Sequence, residues 1–150
     1  MNLKLTYYKS IILSMGRGQK KGHPSNAKPL FFLALISLLE DGTIISNTIA
    51  YDITIMSRYT EICQKFEPEQ TITPLYKPFY HLSSENFYFI KWRYNSVPKD
   101  ASRTPSAKYL RENVEYATLD DELWQLLQNE EARNEIKEAI ISYFIKPIKE

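Results

Sequence analysis

The stretch HPSNAKPLFFLALISLLEDG, residues 23–42, joins a polar, basic approach to an almost unbroken apolar block through Lys28-Pro29. Proline is tolerated in the first turn of a helix, where its missing N–H costs nothing, so Pro29 marks a helix start. The run to Leu39 is apolar nearly all round, which predicts a helix buried centrally rather than lying on the surface. Asp41-Gly42 is a suitable stop. A central apolar helix sets the class, because the remaining elements must then pack around it.

Upstream, Leu5, Tyr8, Ile11, Ile12 and Met15 recur three or four apart and predict a first helix over 3–15. The intervening GRGQKKGHPSN, with three glycines, a proline and three bases, predicts an exposed loop. Downstream, Ser46 and Asn47 are cap candidates for a helix whose stripe is Ile55, Tyr59, Ile62, Cys63 and Phe66. Three prolines in PEQTITPLYKP end it. FYHL and NFYFIKWRY, around SSEN, predict a small antiparallel hairpin, and SVPKDASRTPS predicts a loop. AKYLRE follows as a helical turn and NVEYA as a third extended piece. Thr118 with Asp121 suggests a capping box for a helix carrying Leu119, Leu123, Leu126 and Leu127. A last helix, from about Asn129 to Phe144, buries Ala132, Ile136, Ala139, Ile140, Tyr143 and Phe144. The expectation is a mainly helical α+β fold, about five helices around a small antiparallel sheet, in one domain over 1–150.

Composition narrows the function. Apolar residues at 43% and charged residues at 25% are ordinary for a globular chain. The single cysteine, Cys63, excludes an intramolecular disulfide, a thiolate zinc cluster and a CxxC pair, and fits a reducing compartment. PLFFLALISLL is short of the ~20 residues needed to span a bilayer. The reading is a cytoplasmic protein with no membrane partner.

Net charge is +1, but it is unevenly placed. Residues 1–39 carry Lys4, Lys9, Arg17, Lys20, Lys21 and Lys28 and no acid, and residues 77–111 carry seven bases against Glu85 and Asp100. Residues 115–150 carry nine acids against four bases. This predicts a molecule with a positive and a negative side.

Catalytic patterns are thin. His23 and His81 lie at no metal-ligand spacing from each other or from Cys63, and GRG matches no phosphate-binding glycine motif. Glu135-Ile136-Lys137, with Asp120 and Asp121 upstream, is the acid-x-Lys fragment some nucleases use to hold Mg²⁺, but on a helix with Ile136 inward these charges read as solvated. The expectation is no cofactor, no metal, no catalytic set and no enzyme. What remains suits a polyanion: bases for phosphates, and the aromatics of YKPFYHL and FIKWRY to flank a backbone or a base.

Three segments, KPLFFLALISLLEDG, PFYHL with FYFIKW, and EYATLDDELWQLLQNEEARNEIKEAIISYF, resemble in order and spacing the N-terminal DNA-recognition domain found ahead of the HNH module in bacterial restriction endonucleases. That group includes the sulfur-binding domains of enzymes that cut phosphorothioate-modified DNA. The likeness covers most of residues 20–144. It implies a mainly helical α+β domain that binds double-stranded DNA, modified or not, without cutting it, since no HNH module follows Phe144. By this resemblance Lys28 would contact phosphate and Pro78 would form a cavity wall. Lys77 and His81 stand where the family commonly has an aromatic and a small residue, and Ala27 where it has a histidine.

The DNA-binding set read from the sequence is therefore Lys28, Lys77, Pro78, His81 and Arg93, with Arg17, Lys20, Lys21 and His23 from the glycine-rich loop. The alternative is a protein-interaction or regulatory subunit of a restriction or defence system that has lost DNA binding and pairs with a separately encoded nuclease. A metal-dependent enzyme is a third, weaker alternative.

Overall fold

The computed structural model describes residues 2–20, 22–94, 96–100 and 103–145. The chain runs α1 (Leu3–Leu13), β1 (Gln19–Lys20), β2 (His23–Pro24), α2 (Ala27–Glu40), α3 (Ile53–Phe66), α4 (Tyr76–His81), β3 (Tyr88–Trp92), α5 (Ala107–Asn113), β4 (Val114–Leu119), α6 (Asp121–Leu127) and α7 (Glu130–Ile140). A 3₁₀ turn, Leu82–Ser84, extends α4, and a π-helical turn, Ile141–Ile145, extends α7. The fold is mainly helical α+β, with two small antiparallel two-stranded sheets among the described residues.

The apolar block does what its pattern demands. In α2 every residue from Pro29 to Ile36 is buried, and Leu38 as well, because α3, α4 and α7 pack around it. Gly42 takes φ +79, the left-handed conformation that ends a helix without a Cβ penalty. Phe31 meets Phe79 and Tyr88, and Phe32 meets Phe87, with ring centroids 5.7–5.9 Å apart. These are tilted and edge-to-face contacts of the favoured kind. Tyr8, Ile12 and Met15 seat α1 on the same core.

Six expectations need correction. α3 begins at Ile53, capped by Asp52, whose carboxylate accepts from the Thr54 and Ile55 N–H groups at 3.0 and 3.2 Å. Asn47 instead exchanges two 2.8 Å hydrogen bonds with the Leu119 backbone, and Ile49 bridges Ala117, so this loop forms an extra rung beside β4. FYHL is helical, not a strand. The true partner of β3 is β4, registered Tyr88 to Leu119 through Lys91 to Tyr116, which makes NVEYA the second strand rather than a third.

Thr118 and Leu119 accordingly belong to β4, and α6 starts after Asp120. Asp120 makes no capping bond because its carboxylate accepts from the Tyr8 hydroxyl. The glycine-rich loop contains a minimal hairpin, β1 with β2. Tyr143, expected inside, is 62% exposed where the π turn rotates it off the buried stripe.

Charge segregation is also softened in space. Lys4 pairs with Glu122 and Lys9 with Glu135, so two bases of the first basic block lie on the acidic helices α6 and α7. No helix among the described residues is long and apolar enough to cross a membrane.

Candidate nucleic-acid interface

Helix α4 organises the site. Leu75, Pro78, Phe79 and Leu82 are buried at i, i+3, i+4 and i+7, a helical stripe that anchors the segment on α2. Pro78 occupies the third helical position, inside the first turn, where it needs no N–H partner. The fully buried Tyr88 hydroxyl donates to the Phe79 carbonyl at 2.6 Å and locks the helix to β3. Lys77 and His81, four apart, therefore project together from one side of α4.

That side faces an open groove of about 510 Å³. Its opposite wall is Gly16 to Lys20 and its floor includes Ala27 and Lys28 at the start of α2. The strap 71–74 closes one end, held by the Tyr59 hydroxyl on Thr73 O at 2.7 Å and by Lys20 Nζ on Thr71 O. Six of the residues singled out in the sequence line this groove: Arg17, Lys20, Lys28, Lys77, Pro78 and His81. Two do not. His23 is exposed on β2, and Arg93, beyond the end of β3, gives its N–H to Asn113 O at 2.7 Å. Lys21 lies outside the described residues.

The cations of the groove differ in how they are held. Arg17 is a strut: its guanidinium donates to Ser25 O at 3.0 Å and to Asn26 Oδ1, and stacks 4.8 Å from the Phe144 ring centre. Burial lowers its pKa from the usual value, and it stays charged. Lys28 is mostly covered, at 12% exposure, with Nζ 3.1 Å from Glu85 Oε2 and 3.2 Å from Ser84 Oγ. Lys28 is thus not a free surface charge. Its ammonium is reached through Glu85. The Lys77 side chain is exposed and has no hydrogen-bond or ion-pair partner among the described residues, only its backbone N–H donating to Pro74 O at 3.1 Å.

Glu85 is the residue that the sequence reading missed. Its Oε2 also accepts the Gly16 N–H at 2.9 Å, so one carboxylate oxygen sits between a backbone donor and an ammonium, the pair of donors that a phosphate oxygen would seek. The signal was its isolation, as the one acid between Lys77 and Lys99. At the start of α2 the Ala27 N–H is likewise engaged, donating to Ser25 Oγ at 3.1 Å.

His81 Nε2 lies 2.6 Å from Thr104 Oγ1. Burial, and then the positive charges of Lys28 and Lys77, hold its pKa below the ordinary histidine value, so the free protein carries a neutral imidazole at pH 7. The acid-x-Lys fragment is dispersed into unrelated pairs: Glu135 binds Lys9, and Lys137 binds Glu40 at 3.1 Å. No group of three or more His, Cys, Asp or Glu among the described residues is placed to hold a metal ion.

No protein-family model and no curated protein matches the sequence.

Proposed function

We propose that the protein is a non-catalytic DNA-binding module, like the recognition domains of HNH restriction endonucleases, that seats a phosphate backbone in the groove between α4 and the glycine-rich loop. One observation carries the reading. Six residues chosen from separate stretches of sequence converge on one open groove with a free lysine, Lys77, at its edge. The bound form brings Lys77, Lys20 and Lys28 to phosphates, with Lys28 released from Glu85 and His81 gaining a proton beside them. A module of this kind works with a nuclease encoded elsewhere.

The test is the salt dependence of duplex binding. Three to five phosphate contacts give a log-log slope of about −0.9 per contact. A flat response removes the proposal.

A second reading, a protein-interaction subunit, draws on the internal pairing of Lys28, Lys20 and Arg17 and on the exposed apolar Phe89, Tyr94 and Val97. It predicts the flat response.

A further inference from the structure

Helix α4 has a second working face. Beside the groove, Tyr80 of α4 and Ser83 of the following 3₁₀ turn border a separate depression of about 280 Å³, completed by Phe89, Ile90 and Trp92 of β3 and by Val97 and Pro98. This is slightly below the roughly 300–1,000 Å³ of clefts that hold drug-sized ligands, and suits one planar ring system. Its walls are aromatic and poorly covered. Phe89 is 49% exposed and Val97 60%, and the rings of Tyr80, Trp92 and Tyr109 form a chain with centroids 6.2 Å apart at each step.

Two features point to what fits there. Bases stand beside it, because the adjoining hollow that shares Val97 and Pro98 is lined by Lys99 and Arg103 as well as Asp100. The depression also neighbours the basic groove. Val97 and Pro98 are shared with a third hollow lined by Lys99, Arg103 and Thr104, and Thr104 holds His81 of the groove at 2.6 Å. Tyr80 of the depression and His81 of the groove are adjacent in the chain, with ring centroids 5.1 Å apart, so a site suited to backbone and one suited to a ring lie side by side.

We infer that this pocket takes an unstacked nucleobase from the nucleic acid whose backbone lies in the basic groove, stacking it against Phe89 and Trp92. The inference rests on the DNA-binding reading and deepens it, from backbone contact to recognition of an unpaired or extruded base. Such a base pays for leaving the helix, and pays least where pairing is already broken. A base–aromatic stack tolerates any base, since every base has a π-face. The pocket therefore discriminates by pairing state and not by sequence.

The experiment uses the full chain carrying Trp124→Phe, which leaves Trp92 as the one indole. Its emission is followed while a matched duplex, the same duplex with one mismatch, and the single strand are titrated at fixed salt. The mismatched duplex and the single strand quench Trp92 and bind at least about tenfold more tightly than the matched duplex. In the otherwise native chain, Trp92→Leu and, separately, the half-exposed Phe89→Ser each remove most of that preference and leave the matched-duplex affinity and its salt slope unchanged. Melting by circular dichroism identifies folded variants, and Phe89→Ser serves if Trp92→Leu does not fold. Equal affinity for the three ligands with no quenching, or variants that keep the preference, overturns the pocket while the groove reading stands. No binding to any of the three overturns both and returns the aromatic patch to a protein partner.

Discussion

Replacing Glu85 by Gln tests whether the groove is built for phosphate. In the free protein the carboxylate holds the two donors a phosphate would use, the Gly16 N–H at 2.9 Å and Lys28 Nζ at 3.1 Å, with Lys28 and Glu85 side chains only 12% and 18% exposed. A glutamine keeps an acceptor for Gly16 and removes the charge that occupies Lys28. Hydrogen bonds to charged groups contribute about 1.5–3 kcal/mol net, and incoming phosphate must give back part of this to displace Glu85. Relief of about 1–2 kcal/mol corresponds to a gain of roughly 5–30-fold in duplex affinity. Because Lys28 then neutralises a phosphate without first leaving a carboxylate, the salt slope also steepens by about 0.9. Fluorescence anisotropy of a labelled duplex over a range of salt measures both quantities. The thermal midpoint falls slightly, since a covered ion pair is lost. Unchanged or weaker binding with an unchanged slope would show that Glu85 only buttresses the fold, and would refute the displacement.

Lys77→Ala should weaken duplex binding and flatten the salt slope by about 0.9, with no change in melting temperature, because the side chain is exposed and without a partner. Binding should strengthen as pH falls from about 7 toward 5: His81 is neutral in the free protein, phosphate favours its protonated form, and so the complex takes up a proton that His81→Gln cannot. A pH profile identical in that variant would count against His81. Phosphorothioate duplex should be preferred over unmodified duplex by less than about tenfold in competition binding, since Lys77 and the Thr104-held His81 border Pro78 where sulfur would need an apolar wall. Tyr8→Phe should cost about 1–2 kcal/mol in denaturant melts, as it strips the Asp120 carboxylate of its hydroxyl donor between α1 and α6. An unchanged midpoint would show that water replaces that donor freely.

The elements that the sequence announces well are those whose environment is local. α2 is legible because its apolar residues run all round, and α7 because Asn129 caps it, accepting from the Ala132 N–H at 2.8 Å ahead of the stripe Ala132, Ile136, Ile140. α4 is misread because Phe79 and Tyr80 carry β propensity, although the spacing Leu75, Pro78, Phe79, Leu82 is helical. Asp52 and Asp120 show why caps mislead. Each of several Ser, Thr, Asn and Asp side chains near a helix start is chemically able to cap, and the choice is made by distant partners, Leu119 for Asn47 and Tyr8 for Asp120.

At the groove, the basic residues that line it could be picked out in the sequence, but not their pairing. The contacts of Lys28 with Glu85 and of Arg17 with Phe144 span 57 and 127 positions and depend on the packed fold.

Asn26 has a consequence beyond its own helix. Its amide nitrogen donates to Glu67 Oε2 at 2.6 Å and to Phe144 O at 3.2 Å, while its oxygen receives Arg17. One side chain thus clasps the end of α3, the π turn after α7 and the glycine-rich wall of the groove. These three segments are far apart in the chain, and none can swing outward alone without breaking a bond shared with the others. They form one cooperative opening unit. The groove wall is therefore tied through one amide to the π turn that follows α7, so displacing that turn breaks a bond on which the wall also depends.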